Sequence, residues 1–396
     1  MISTKTDVIL RPIEIDCEFG YIDDTGKLVI VPQFDDACFF SEGLACVKLE
    51  DKWGYINKFG QFAIKPQFDE ANDFHEGLAN VKIGCFKDFY EKKIGGKWGY
   101  IDTSGNFVIK PQFIEARSFS EDVAVVSNKP RNYGYIDKTG KYIIKPQFDE
   151  ALNFSEGIAI VRNNSFKYGY IDKTGEYIIK PQYDEACYFS EGLACVKIVN
   201  NCDDVKWGYI NRSGEFVIKP QFLYAEDFSE GLANVISIDD SGWGYIDYTG
   251  QMVIKPIFFC AKQFSEGIAA VCVENDMEEE KWGYIDKAGK YICAPQFDLA
   301  NDFSEGLAFF NIGQCFDLLD GQTTTGKWGV IDKRGSIIIA PQFDAAYDFF
   351  NDLAYVNTGC EIDHRGRKVG GDWFYINRTG EKIKVNGKHN TKIPFM

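Results

Sequence analysis

Histidine is close to missing from this chain. His75, His364 and His389 are the only three in 396 residues, and they lie too far apart to suggest a zinc motif. No apolar run approaches the length of a membrane span, and the first twenty residues, MISTKTDVILRPIEIDCEFG, lack the apolar centre of a signal segment. The expectation is a cytoplasmic protein with no membrane partner. Cysteine is present twelve times, yet never as C-x-x-C. Cys38 and Cys187 share one position of the repeat described below, and Cys46 and Cys195 share another. Other copies carry ordinary side chains there, so the cysteines read as small core or surface residues in a reducing compartment. Excess positive charge is also lacking. The net charge of −16 would repel a phosphate backbone over most of the surface, which excludes nucleic acid as the expected partner. Residues 361–396 run against this balance at +4, leaving −20 on the rest; they read as a solvated cap with a basic tail, or a docking tail for an acidic partner. Sustained helical periodicity is absent throughout.

What the chain does contain is one phrase said many times. Residues 134–151 read GYIDKTGKYIIKPQFDEA and residues 169–186 read GYIDKTGEYIIKPQYDEA. The opening glycine recurs as Gly20, Gly54, Gly99, Gly134, Gly169, Gly208, Gly244, Gly283 and Gly329. Proline always follows twelve residues later, alanine five after that and phenylalanine three further on. Nine units in register, with an imperfect tenth from Trp373, define a repeat protein. A unit of about 35 residues is too small to bury its own core, so neighbours must stack into one array. The expected divisions are a capping segment 1–18, nine repeats over 19–371, and a partial tenth repeat with a basic tail over 372–396.

Turn chemistry gives the fold of one unit. After W-G-Y-I comes Asp or Asn, two residues and Gly, as in Asp137 to Gly140; such a turn joins two short strands. Pro146 is expected to end the second strand by removing a donor, and G-I-A-I-V starts a third. The prediction is all-β: tandem repeats of three short antiparallel strands stacked into an elongated curved superhelix or solenoid, with a closed propeller-like ring as the alternative. Ala151 and Ala159 mark positions where backbones pack closely. Trp53, Trp98, Trp207, Trp243, Trp282 and Trp328, with Phe154, supply large apolar area to the scaffold. Gln147 and its equivalents are expected to form a ladder along the stack.

The block KWGYID…GKYIIKPQFDEA…FSEGLA resembles the WG-repeat (KWG-repeat) family, a bacterial β-repeat, over about residues 15–385. The resemblance implies a β-repeat scaffold and no catalytic residues.

Each site candidate has a bland reading beside it. Gly321 to Lys327, GQTTTGK, matches the start of a phosphate-binding loop, but Trp328 follows where Ser or Thr is needed. Glu156 and seven equivalents could be paired for acid–base work; eight copies favour contacts with backbone N–H groups or with Lys65, Lys110, Lys145, Lys180, Lys219 and Lys255. No catalytic residue, metal or cofactor is expected. The leading reading is a non-enzymatic scaffold binding a protein or peptide. The alternatives are a small-ligand module, for a glycan or nucleotide-like molecule in an aromatic groove, and a Glu-pair hydrolase. Segments 82–96, 196–206, 272–281, 309–327 and 357–371 exceed what folding requires, since 11 residues suffice from Gly43 to Gly54. Phe86, Phe89, Tyr90, Phe309, Phe310, Phe316 and Leu318 in these loops are the binding candidates.

Overall fold

The computed structural model describes residues 8–90, 92–200, 205–238, 242–274, 279–313, 326–362 and 368–386. Among them every regular element is a strand. The chain divides into two compact units, Met1–Gln182 with Lys384–Met396, and Tyr183–Ile383. Within the first unit the Asn386 amide donates to Gly26 O at 3.0 Å, and its carbonyl accepts from Leu28 N–H at 3.1 Å.

The recurring sheet has four antiparallel strands where three were expected. In one copy they are Glu115–Ala116, Val123–Ser127, Tyr133–Asp137 and Tyr142–Phe148, in that spatial order. The missed strand is the two-residue E-A step, which precedes the S-E-G turn and so joins the sheet of the following W-G motif. It was illegible because two residues carry no periodicity.

Proline does not end the K-P-Q-F strand. Tyr133 pairs with Phe148 and Tyr135 with Ile144, so four residues on one strand span two on the other, a bulge around Pro146. This bulge explains the W-G glycine. A Cβ on Gly134 would lie 2.6 Å from Ile144 O and 2.7 Å from Pro146 N, closer than side chains tolerate. The glycine is there for close approach of two backbones. Its conformation is ordinary.

The two middle strands are apolar on both faces because each sheet is sandwiched. Val123, Val125, Tyr135, Ile144 and Phe148 meet Ala151, Phe154, Ala159, Val161 and Ile171 of the next sheet. Ala124, Val126 and Ile136 face the preceding one. Ala151 and Ala159 are fully buried where the sheets meet. The Tyr135 hydroxyl, also fully buried, donates to Leu152 O at 2.8 Å across that junction; six further repeats show the same 17-residue reach.

The Asp-x-x-Gly turn forms as expected. Asp137 Oδ1 accepts from the Thr139 and Lys141 amides at 2.9 and 3.0 Å, and Gly140 adopts φ +85. The Thr139 hydroxyl and these amides hold the Asp137 carboxyl below the usual range, more than offsetting its slight desolvation. The glutamine ladder gives way to local bonds: Gln33, Gln67 and Gln296 turn back onto carbonyls two residues earlier on their own strands.

Candidate functional site

The S-E-G turn forms an interlock between consecutive repeats. Its glutamate sits at positive φ, as at Glu121 (φ 54). The Glu121 carboxylate accepts from Gly157 N–H of the next repeat at 3.0 Å, and Glu42, Glu191, Glu230, Glu266 and Glu305 repeat the contact. The serine hydroxyl beside it donates to the next repeat's phenylalanine carbonyl, as from Ser120 to Phe154 at 3.1 Å. The backbone partners match expectation, whereas the lysine partners do not. They come from the D-K turn: Lys173 with Glu121 at 3.2 Å, Lys287 with Glu230 at 3.1 Å and Lys333 with Glu266 at 2.8 Å. Lys145 and its equivalents point to solvent, because their strand alternates inward Ile144 and Phe148 with outward Lys145 and Gln147. Glu156 occupies the same turn at φ 52.

The signature lysine has its own partner. Lys52, Lys281 and Lys327 reach the Asp that follows P-Q-F, namely Asp69, Asp298 and Asp344, at 2.5–2.6 Å. Burial would raise the Asp69 carboxyl, but the Lys52 ammonium and the Cys85 amide outweigh it and hold the pKa below the usual value.

Of the tryptophans only Trp207 is buried, at 5 % exposure. Trp53, Trp98, Trp243, Trp282 and Trp328 are half-buried. Lysines cover the rings of Trp98, Trp207 and Trp282 at 5.5–5.8 Å. With Tyr135, Phe148 and Phe154 inside the sheet junctions, the repeat aromatics belong to the packing.

Phe309 and Phe310, expected at a loop surface, are fully buried. Phe309 stacks on Phe349 at 5.4 Å and Phe310 lies 4.2 Å from Phe297 between centroids. They occupy the x and V of the A-x-V strand, where apolar content serves the core; counting the register from Gly306 would have shown this. Phe316 and Leu318 lie outside the described residues. The segment at 196–206 continues the strands as Ala194–Val199 and Val205–Ile210, and 357–371 carries a small pair, Glu361–Ile362 with Lys368–Val369.

Segment 82–96 differs. It is an ordered hairpin, Ala79–Lys87 against Lys93–Ile101, paired from Ala79↔Ile101 to Lys87↔Lys93. Asp88 Oδ1 accepts from the Tyr90 and Lys92 amides, both at 2.9 Å, closing the tip. On the extension, Asp69 accepts from Cys85 N–H at 2.8 Å, and Lys93 Nζ, in the outermost pair, lies 3.1 Å from Asp51 of the preceding turn. The ring of Phe86 lies over Gly95, where a Cβ would meet it at 2.8 Å. Phe86, Phe89 and Tyr90 are 61 %, 95 % and 85 % exposed, with the last two rings 5.5 Å apart. A shallow cavity of about 300 Å³ lies elsewhere, lined by Gly242, Pro256, Ile257, Phe259 and Val273.

Fold and surface together define a repeat protein of stacked antiparallel sheets with variable connections along one side of the motif. The family model described as WG containing repeat matches residues 19–53, 53–84, 98–129, 133–165, 168–201, 207–236, 243–275, 282–314 and 328–359. The chain belongs to that family. No curated protein matches it in sequence. Among solved structures, one titled as a eukaryotic initiation factor is similar at TM-score 0.50 and 10% identity, covering 84% of this chain and 95% of that one. BamB from Moraxella catarrhalis is similar at TM-score 0.37 and 11% identity, covering 82% and 94%. The WD40 beta propeller domain of Doa1 gives TM-score 0.25 and 14% identity, covering 59% and 91%. The first of these speaks for the fold alone, and the other two are too distant to argue from.

Proposed function

We propose that this chain is a non-enzymatic scaffold that binds a protein or peptide, with the hairpin Ala79–Lys87 and Lys93–Ile101 as its docking element. The observation that carries this is the exposure of Phe86, Phe89 and Tyr90 on a paired hairpin whose extension is tied down by Asp69 at Cys85 and by Lys93 to Asp51. Three apolar rings in water are unfavourable for an isolated protein, and a rigid element lowers the entropy cost of ordering them on binding. Aromatic side chains on such elements are common anchors of protein interfaces. The non-catalytic reading is supported by the recurrent carboxylates. The S-E-G glutamates with assigned partners are engaged by backbone amides, and Asp69, Asp298 and Asp344 of the P-Q-F-D position by lysines.

The test replaces Phe86, Phe89 and Tyr90 together by serine. Folding stability should stay within about 0.5 kcal/mol of wild type, as for surface substitutions away from packing. Affinity for a partner recovered from native lysate, measured by calorimetry, should fall about 30-fold or more. Undiminished affinity in the triple variant would move the binding surface off the hairpin.

A further inference from the structure

Two stretches of the chain are nearly identical where cysteine is concerned: residues 36–48, DACFFSEGLACVK, and residues 185–197, EACYFSEGLACVK. In each, one cysteine comes directly after the D-A or E-A step and the other lies eight residues later on the A-x-V strand. In the second stretch the two are cross-strand neighbours, with the Cys187 amide donating to Cys195 O at 3.0 Å. The residue before F-S-E-G in the following repeat is Asp227. Its carboxylate enters the same junction between sheets, with Oδ1 3.2 Å from Cys195 Sγ. One ligand atom from each of Cys187, Cys195 and Asp227 lies within 4.8 Å of the other two.

We propose that Cys187, Cys195 and Asp227 form a binding site for a thiophilic divalent cation of the zinc class. Two sulfurs and one carboxylate oxygen are a zinc-type donor set, with bonds of about 2.3 Å to sulfur and 2.0–2.2 Å to oxygen. Tetrahedral coordination at those lengths brings the donors under about 4 Å apart; the side chains need to close by roughly 1 Å, which small χ1 rotations supply. Cys195 is fully buried, whereas Cys187 and Asp227 are half-buried, so the site has a closed floor and an open side for entry and for a fourth ligand. Binding exchanges two thiol protons, released to solvent, for two sulfur–metal bonds. Burial holds the Asp227 carboxyl above its usual range, a cost that a cation would remove.

The first stretch carries the same three residue types, Cys38, Cys46 and Asp73, at the equivalent positions. The Cys46 thiol donates to Ala71 O at 3.8 Å, and Asp73 occupies the position of Asp227. Asp73 Oδ1 is buried with no hydrogen-bond partner. This copy is the looser one: among the described residues only the Cys187 trio brings its three ligand atoms within 4.8 Å of one another. Sequence motifs miss both copies because the third ligand comes from the next repeat, 32 residues after Cys195 and 27 after Cys46. Elsewhere the same three positions carry other chemistry; Asn301, Phe309 and Asp348 are one example, with Asn301 Nδ2 donating to Asp348 at 3.1 Å.

The test is titration of the full chain, kept reduced and free of oxygen, with cobalt(II) and then zinc(II). Wild type should show a near-ultraviolet sulfur-to-cobalt charge-transfer band that zinc abolishes. Cys187→Ser, at the half-buried position, should lose most of that band while keeping the wild-type far-UV spectrum. Asp227→Asn should weaken cobalt affinity roughly tenfold. Cys46→Ser reports only on the first pair and should leave the Cys187 band in place. Absence of a charge-transfer band in wild type, or an undiminished band in folded Cys187→Ser, would overturn the proposal.

Discussion

Two connections between equivalent pairs of strands differ in how much of each the packing uses. In one, Leu44–Leu49 meets Lys52–Asn57 through Glu50 and Asp51, both left-handed (φ 48 and 67), the shortest turn a hairpin allows. In the other, Ala79–Lys87 and Lys93–Ile101 pair as strands of nine residues each, against six in the first. Their roots are interchangeable. Cys46 opposes Tyr55 as Asn80 opposes Tyr100, and both tyrosines are fully buried with hydroxyls bound to the carbonyl 17 residues on. The extension beyond Ile83 adds no residue to the sheet-junction clusters. What the scaffold requires is therefore confined to the root, and the longer copy carries three exposed rings that stacking does not use.

The largest expected effect lies at the root of every repeat. Gly134→Ala places a Cβ 2.6–2.7 Å from the backbone of Ile144 and Pro146, and backbone at a bulge cannot move aside as a flexible side chain can. The cost should be about 3 kcal/mol, read as a shift in denaturant midpoint. Gly157→Ala is the matched control. Its φ of +79 disfavours a side chain, but nothing lies within 4 Å, so about 1 kcal/mol is expected. Equal costs at the two glycines would mean that the bulge relaxes and the W-G signature has another origin.

Next comes the buried hydroxyl. Tyr135→Phe keeps the ring but removes the donor from the half-buried Leu152 carbonyl, for about 1–2 kcal/mol. The ninth repeat shows how the array manages without it. Val330 takes the tyrosine position, and the Phe309–Phe349 stack fills the space. A midpoint for Tyr135→Phe equal to wild type would show that water reaches the junction. The serine variant of the hairpin tip, by contrast, should leave the midpoint almost unmoved.

The contrast between root and extension also marks how far the sequence could be read. Period, turn and core positions were legible because each is a local rule repeated nine times: Asp137 to Gly140 closes its turn within five residues, and the position of Ile136 is isoleucine in all nine copies. The E-A strand, the bulge at Pro146 and the lysine partners of the glutamates were illegible, since each depends on which segment of a neighbouring strand or repeat lies opposite. Phe309 and Phe310 misled for a related reason. Apolar residues next to a long insertion read as loop unless the register is carried through from the S-E-G glycine. At the hairpin the signal was truly local, because Phe86, Phe89 and Tyr90 lie beyond any position that the repeat uses.

The smallest expected effect concerns the turn that all copies share. Most repeats place Asp at its first position, yet Asn57, Asn211 and Asn377 accept the same two amides at 2.9–3.1 Å. The turn therefore needs an oxygen, and the charge adds only a pH dependence. Asp137 has its pKa lowered by the Thr139 hydroxyl and the backbone amides, so its ionised form is favoured on folding. That contribution is fully present above the unfolded carboxyl pKa of about 4 and is lost as pH falls through the lower folded value. Asp102, Asp172 and Asp247 are shifted the same way, so the whole array should lose stability on the acid side. Asp137→Asn should cost under about 0.5 kcal/mol at pH 7, because the exposed carboxylate is well screened. The gap between wild type and variant should then close as pH is taken from 5 to 3 (both roughly bracketing the carboxyl range). A gap that widens with acid would mean that the amide distorts the turn, and that the three natural asparagines depend on compensation elsewhere in their repeats.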